Sequence, residues 1–278
     1  KLVKILGTYV DGLTEAICPS TKRIHTSFRQ AGTVTGRLSS ARPNLQNIPA
    51  KGEIGALIRA AFAADEGNTL VVADYSQMEM CVMAHVSGDD SMITAISDGL
   101  DLHSFTASRM LGVEYDDVVI AKKLADIEDY KERYAYAFEH FDMGMLDLDG
   151  WDIEYDNGDK LLSARSAAKA IGFGLMYGRG PGALADELGV TRKKARELID
   201  QWFDTFPNVR SYINDIQRHA RESDNHAVYT VFGRPRRLTS ITSTQHGVRA
   251  KAERDAINSP IQGSASCIIK RAMILMFS

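Results

Sequence analysis

The chain has 278 residues, 44% of them hydrophobic and 25% charged, a balance that excludes collagenous, low-complexity and strongly disordered chains. No apolar run approaches the roughly 20 residues of a bilayer span and no leader precedes the first strand-like segment, so a cytoplasmic location without a membrane partner is expected. The net charge of −3 hides an asymmetry, with 10 basic and 14 acidic groups in residues 1–117, 5 and 12 in 118–162, and 18 and 10 in 163–278. The basic last third faces a polyanion or is a solvated basic surface.

In chain order, residues 22–29 read as a strand, and 33–49, rich in Gly, Ser, Asn and Pro, as an ordered loop. The apolar β-branched run 69–73 predicts a strand buried on both faces, ended by Asp74 and followed by a helix over 78–86. Further helices are predicted at 91–98, 101–111, 163–178, 191–203 and 207–222, the last starting at Pro207 and Asn208. Residues 229–232 read as a strand entering a turn, and helices are expected over 244–257 and from 262 to the end. The acidic, aromatic-rich segment 118–162 reads as a helix followed by a hairpin turning at Asn157-Gly158, added to the surface of the main fold. Cys18, Cys81 and Cys267 have neither metal nor disulfide spacing and fit buried thiols in a reducing compartment. The chain opens at Lys1 and stops at Ser278 inside an apolar helical run, which predicts a piece of a longer gene product.

Segment 163–178 carries the most chemistry. Arg165, Lys169, Phe173 and Tyr177 are spaced four apart. Each such step drifts only about 40° around a helix, so the four share one face. Two cations followed by two aromatics match a triphosphate with a flat base attached. The competing reading is a surface helix with one aromatic-rich side. Gly172, Gly174 and Gly178 each cost about 1 kcal/mol in a helix relative to Ala, which predicts close backbone approach.

Asp74, at the end of a buried strand, would be held rigidly, as a metal ligand must be. Mg²⁺ takes one or two carboxylates together with water and phosphates, so one such Asp can be half of a site. Taken alone, an Asp in this position also suits a helix N-cap.

Five motifs then appear in order: Thr35-Gly-Arg-Leu-Ser-Ser40, Pro43-Asn-Leu-Gln-Asn-Ile-Pro49, Asp74-Tyr-Ser-Gln-Met-Glu79, the Arg165 to Gly178 helix, and Asn258-Ser-Pro-Ile-Gln-Gly263. In this the chain resembles family A DNA polymerases over nearly its whole length except about 118–162. The resemblance implies an α/β (α+β) fold, the right-hand palm with an antiparallel sheet and helical fingers, without thumb or final palm strands. Residues 1–100 and 247–278 would be palm and 101–246 fingers. It implies template-directed transfer of dNTPs to the 3′-hydroxyl of primer-template DNA, in replication or repair, with two Mg²⁺ ions. Asp74 and the Tyr75 carbonyl would hold metal. Arg165 and Lys169 would grip the triphosphate, Lys169 also protonating the leaving pyrophosphate, and His103 would add a phosphate contact. Gln77, Phe173 and Tyr177 would complete the dNTP site, with Glu79 closing the space beside the sugar C2′ against ribonucleotides. Arg37, Asn44, Gln46, Asn47, Arg254, Asn258 and Gln262 would contact DNA, where minor-groove acceptors allow pair geometry to be tested without reading sequence. Asn44 and Asn47 also suit turn-forming roles.

Departures from that pattern shape further expectations. The family's second metal-binding Asp follows a His beyond the Gln262 helix, past the end of this chain, so the fragment alone is expected to be inactive. A second polypeptide from a split gene, or a longer reading frame, would supply the remainder. Cys81 stands where many relatives carry Arg. The insert at 118–162 would dock an accessory protein, its acidity being unsuited to duplex DNA. The remaining alternatives are a non-catalytic nucleic-acid-binding remnant and a single-subunit RNA polymerase relative, the latter opposed by Glu79. The source would be a bacterium, a virus-infected cell or an organelle.

Overall fold

The structure is a computed structural model that describes residues 6–49, 53–127, 129–140, 146–147, 152–153 and 161–277. It is mostly helical with small antiparallel sheets. The chain divides into two compact units, one formed by residues 1–78 and 262–278 and the other by 79–261.

In the first unit a π-helical turn, Leu6–Asp11, runs into α1, Gly12–Glu15. Strands β1, Ser27–Arg29, and β2, Ser39–Ala41, pair antiparallel with Phe28 opposite Ser40. The Ser40 hydroxyl accepts from the Leu45 and Gln46 amides at 3.1 and 3.2 Å and so fixes the 3-10 turn Leu45–Asn47. Thus the expected loop at 33–49 contains a strand and a helical turn. Helix α2, Glu53–Ala60, follows. The buried strand expected at 69–73 does not form: Leu70, Val71 and Val72 are 60, 86 and 91% exposed, and no strand pairs with them among the described residues. Strand propensity supplies no partner for backbone N–H and C=O groups, and without one the run forms no ladder. Asp74 therefore ends an unpaired segment here.

The second unit is built on helices. Helix α3, Met78–Ser87, begins at the unit boundary and buries Met80, Val82, Met83 and Ala84. Asp89 caps α4, Asp90–Ser97, by accepting from the Met92 amide at 3.0 Å. Its other oxygen accepts from the Asn208 amide at 3.0 Å, which ties the start of α4 to the start of the helix Pro207–Glu222. Asp101 caps α5, Leu102–Leu111, and α6 spans Tyr115–Asp126. Helix α7, Tyr130–His140, is followed by the paired β3, Leu146–Asp147, and β4, Asp152–Ile153. Segment 118–162 thus holds most of α6, all of α7 and the β3–β4 pairing, where one helix and a hairpin were expected, and Asn157-Gly158 lies outside the described residues.

Helix α8, Leu161–Met176, packs against α5, α6 and two later helices, α9, Pro181–Leu188, and α10, Arg192–Thr205. Trp202 on α10 and Phe206 are buried edge to face at 5.0 Å, and truncating a ring so placed typically costs about 3–5 kcal/mol. Helix α11, Pro207–Glu222, starts at the expected proline and leads into the hairpin β5, Ala227–Tyr229, with β6, Pro235–Arg237. The last element is α12, His246–Phe277. Two helices were expected there, broken near Pro260. The helix instead runs through, because Ile257, Ser259, Ile261 and Gln262 are buried around the proline and packing outweighs the lost backbone hydrogen bond. Among the described residues no helix is long and apolar enough to cross a membrane.

Candidate functional site

Helix α8 presents two stripes. Ala168, Ile171, Leu175 and Met176 are buried and anchor it. Arg165, Lys169, Phe173 and Tyr177 form the other, with Lys169 exposed and the rest half-buried. Tyr177 lies one residue past the helix end, yet its amide still donates to the Phe173 carbonyl at 3.0 Å, so the four-residue spacing holds in three dimensions. The surface-helix reading therefore explains Lys169 alone.

Two glycines meet the close approach expected of them. A Cβ on Gly174 would lie 2.7 Å from Leu184 Cδ2, and one on Gly178, whose φ is +65°, would lie 2.8 Å from the Arg254 Cα. At Gly172 the nearest contact, 3.5 Å to Trp202, is ordinary.

The guanidinium of Arg165 is gripped on one edge. Its Nε donates to Ser104 Oγ at 3.1 Å, and its Nη2 donates to both Asp101 carboxylate oxygens at 3.2 Å. Lys122 on α6 approaches the same carboxylate at 3.8 Å. Burial alone would raise the Asp101 carboxyl, but the Ser104 amide and the Arg165 charge outweigh it and hold the group below the ordinary carboxylate range. Asp101 and Ser104 escaped the sequence reading, although Asp101-x-x-Ser104 has the spacing of an N-cap pair.

His103, in the first turn of α5, is only 5% exposed and tilts against Phe173 with ring centroids 5.5 Å apart. Burial, opposed by Asp101 and reinforced by Arg165, Lys169 and Lys122, lowers its pKa to about 4. It is therefore a neutral imidazole near pH 7. On α3, Glu79 accepts a hydrogen bond from the Tyr177 hydroxyl at 3.0 Å, so two residues 98 apart in sequence act as one unit. Cys81 is half-buried, and desolvation raises its thiol pKa. Arg254 is exposed and Asn258 half-buried on the first part of α12.

The remaining candidates lie in the first unit. Arg37, Gln46 and Asn47 are exposed. Asn44 Oδ1 accepts from the Gln46 amide and the Ser40 hydroxyl, both at 3.0 Å, so this side chain serves the turn. The Tyr9 hydroxyl donates to the Asn47 carbonyl. Asp74 is exposed, Tyr75 is 52% exposed, and Gln77 holds a left-handed φ of 51° just before α3. Gln262 is buried. A groove of about 1120 Å³ in this unit is lined by apolar side chains such as Leu13, Leu57, Ile58 and Phe62 and includes none of the candidate residues.

Helix α8 thus carries a cation-then-aromatic face and packs against a capped helix that bears a buried histidine. The chain belongs to DNA polymerase family A: the sequence model of that family matches residues 1–123 and 157–278. The unmatched 124–156 fall inside the segment expected to be an insert. The chain is 40% identical over 274 residues to the DNA polymerase I of Caldicellulosiruptor bescii, covering 99% of this chain and 27% of that protein. It is 38% identical over 277 residues to the thermostable DNA polymerase I of Thermus aquaticus, covering 100% and 28%. It thus spans about a quarter of the length of these curated relatives. Among solved structures, the POL domain of Pol1 from M. smegmatis, in complex with DNA primer-template and dNTP, aligns with a TM-score of 0.74 and 39% identity over 97% of this chain and 40% of that one. The expected palm-and-fingers fold class is therefore the one observed.

Proposed function

We propose that this chain forms the nucleotide-binding fingers and part of the palm of a template-directed DNA polymerase that extends primers in replication or repair. Residues 1–100 and 247–278 are read as palm and 101–246 as fingers. The observation that carries the proposal is the α8 ridge, two cations then two aromatics on one face, with Arg165 already oriented by Asp101 and Ser104. Arg165 and Lys169 bind the triphosphate of an incoming dNTP, and exposed Lys169 donates a proton to pyrophosphate as it leaves. His103 contacts phosphate as a neutral N–H donor. Phe173 and Gln77 bound the sugar and base, and Tyr177 stacks near the template base and moves as the fingers close. Glu79, tied to the Tyr177 hydroxyl, fills the space beside C2′ and excludes ribonucleotides.

Arg37, Gln46, Asn47, Arg254, Asn258 and Gln262 contact primer-template DNA, with Asn44 contributing its amide N–H groups while its oxygen serves the turn. The exposed Asp74 carboxylate and the Tyr75 carbonyl fit part of a Mg²⁺ shell, which needs few protein carboxylates. Among the described residues no group of three His, Cys, Asp or Glu side chains gathers to complete a cation site. When bound, the metal lowers the barrier to attack by the primer 3′-hydroxyl and offsets phosphate charge. With Asp74 as its one metal carboxylate, the 278-residue chain by itself extends primers little, and further polypeptide supplies the second. The acidic insert docks an accessory protein.

Asp74→Ala in the full-length protein that carries this chain should abolish nucleotide addition while leaving primer-template affinity within about threefold. Arg165→Ala should raise the KM for dNTP. Normal primer extension by the Asp74 variant would refute the metal assignment.

A further inference from the structure

We infer that Asp101 is a positioning residue that holds the Arg165 guanidinium in the orientation a triphosphate requires, an inference that rests on the nucleotide-binding reading of α8. Arg165 reaches its site on a long flexible side chain, and leaving it unrestrained would charge the cost of ordering it to every binding event. The structure meets that cost within the fold. Asp101 and Ser104 together engage the Nε and Nη2 edge of the guanidinium, and neither bonds its Nη1 edge. A planar fork fixed along one edge presents the other in a defined direction, which suits paired phosphate oxygens.

The pair is also built so that its carboxylate does not neutralise the site. Asp101 carries one negative charge among three cations, Arg165 at 3.2 Å, Lys122 at 3.8 Å, and Lys169 one turn further along α8. The surplus leaves the cluster receptive to an anion. Both partners are mostly shielded, with side chains 17% and 23% exposed, so the contact persists better against salt than a surface pair. Asp101 has a second duty. The same Oδ1 that accepts from Arg165 accepts from the Ser104 amide at 2.8 Å and caps α5, the helix that carries His103. The cap anchors the carboxylate, the carboxylate anchors the arginine, and Lys122 links this network to α6 at the entrance to the insert.

The two duties can be separated chemically. Asparagine caps helices as well as aspartate but carries no charge for Arg165, whereas alanine loses both. In the full-length protein, Asp101→Asn should keep the melting temperature within about 2 °C and raise the KM for dNTP about five- to tenfold, with kcat changed much less. Arg165→Ala should raise KM at least as far, and the double variant no further than Arg165→Ala alone, since the two residues act in one chain of contacts. An unchanged or lowered KM in Asp101→Asn, or additive effects in the double variant, would overturn the inference while leaving Arg165 as the phosphate ligand. An unchanged KM in Arg165→Ala would instead overturn the reading of α8 itself. A KM effect seen in Asp101→Ala, together with a fall in melting temperature, but absent from Asp101→Asn would show a capping role alone and also overturn it.

Discussion

Gly178→Ala tests whether the junction behind the ridge is as tight as the geometry requires. The backbone there is left-handed, with φ of +65°, a conformation that costs an L-residue roughly 1–2 kcal/mol. The added Cβ would also lie 2.6, 2.8 and 2.9 Å from Arg254 Cγ, Cα and Cβ. The Cγ can swing aside, but the Cα belongs to the α12 backbone, so the end of α8 and α12 must separate. Overpacking of this kind typically costs about 1–3 kcal/mol, which brings the total to roughly 2–5 kcal/mol. Spread over a cooperative unit of 278 residues, that is a fall of about 3–9 °C in melting temperature. Gly189→Ala is the matched control, because φ there is +67° and no atom lies within 4 Å of the new Cβ. It should lose only the conformational part, about 1–2 kcal/mol. Thermal and urea denaturation of the two full-length variants, compared side by side, measure the difference directly. Equal losses would refute the close-approach argument. Because Tyr177 immediately precedes the strained residue, Gly178→Ala should also disturb its hydrogen bond to Glu79.

The buried His103 predicts acid sensitivity with a defined sign. The unfolded chain takes up this proton near pH 6.5 and the folded chain only near pH 4, so stability is complete above 6.5 and falls by about 3 kcal/mol as pH drops through that window. Urea midpoints of wild type and His103→Gln from pH 7 to 4 should diverge, and parallel curves would sink the assignment. Glu79→Ala should raise ribonucleotide incorporation, read as the rNTP to dNTP ratio of kcat/KM, on the order of 10- to 100-fold. Tyr177→Phe, which removes only the hydroxyl that holds Glu79, should give a smaller rise in the same direction. Leu124 is fully buried with Val118, Ala121, Ala137 and Ala168 where the insert meets α6 and α8, so Leu124→Ala should cost about 2–5 kcal/mol.

What the sequence discloses depends on how far apart the interacting residues lie. The α8 ridge and the helices at 207–222 and 101–111 were readable because a helical face is set by neighbours three and four positions away. Helix α2 contains Gly55, a costly residue inside a helix; a Cβ there would meet the Pro49 carbonyl oxygen at 2.8 Å, so the glycine serves a contact that no local pattern announces. Helix α9 opens on Pro181, a residue that suits the first position of a helix, but its eight residues are too few to set a clear face. The 69–73 run carried the right propensity for a strand, but a strand is a relation between two segments, and local composition cannot supply the second. The same limit governs the site. Arg165 could be proposed as a phosphate ligand from its own helix, whereas the carboxylate that hydrogen-bonds it lies 64 residues upstream, beyond the reach of any local pattern. Residue chemistry is thus legible where the contacts are local, and the orientation of that chemistry becomes legible only once α5 and α8 are seen to pack together.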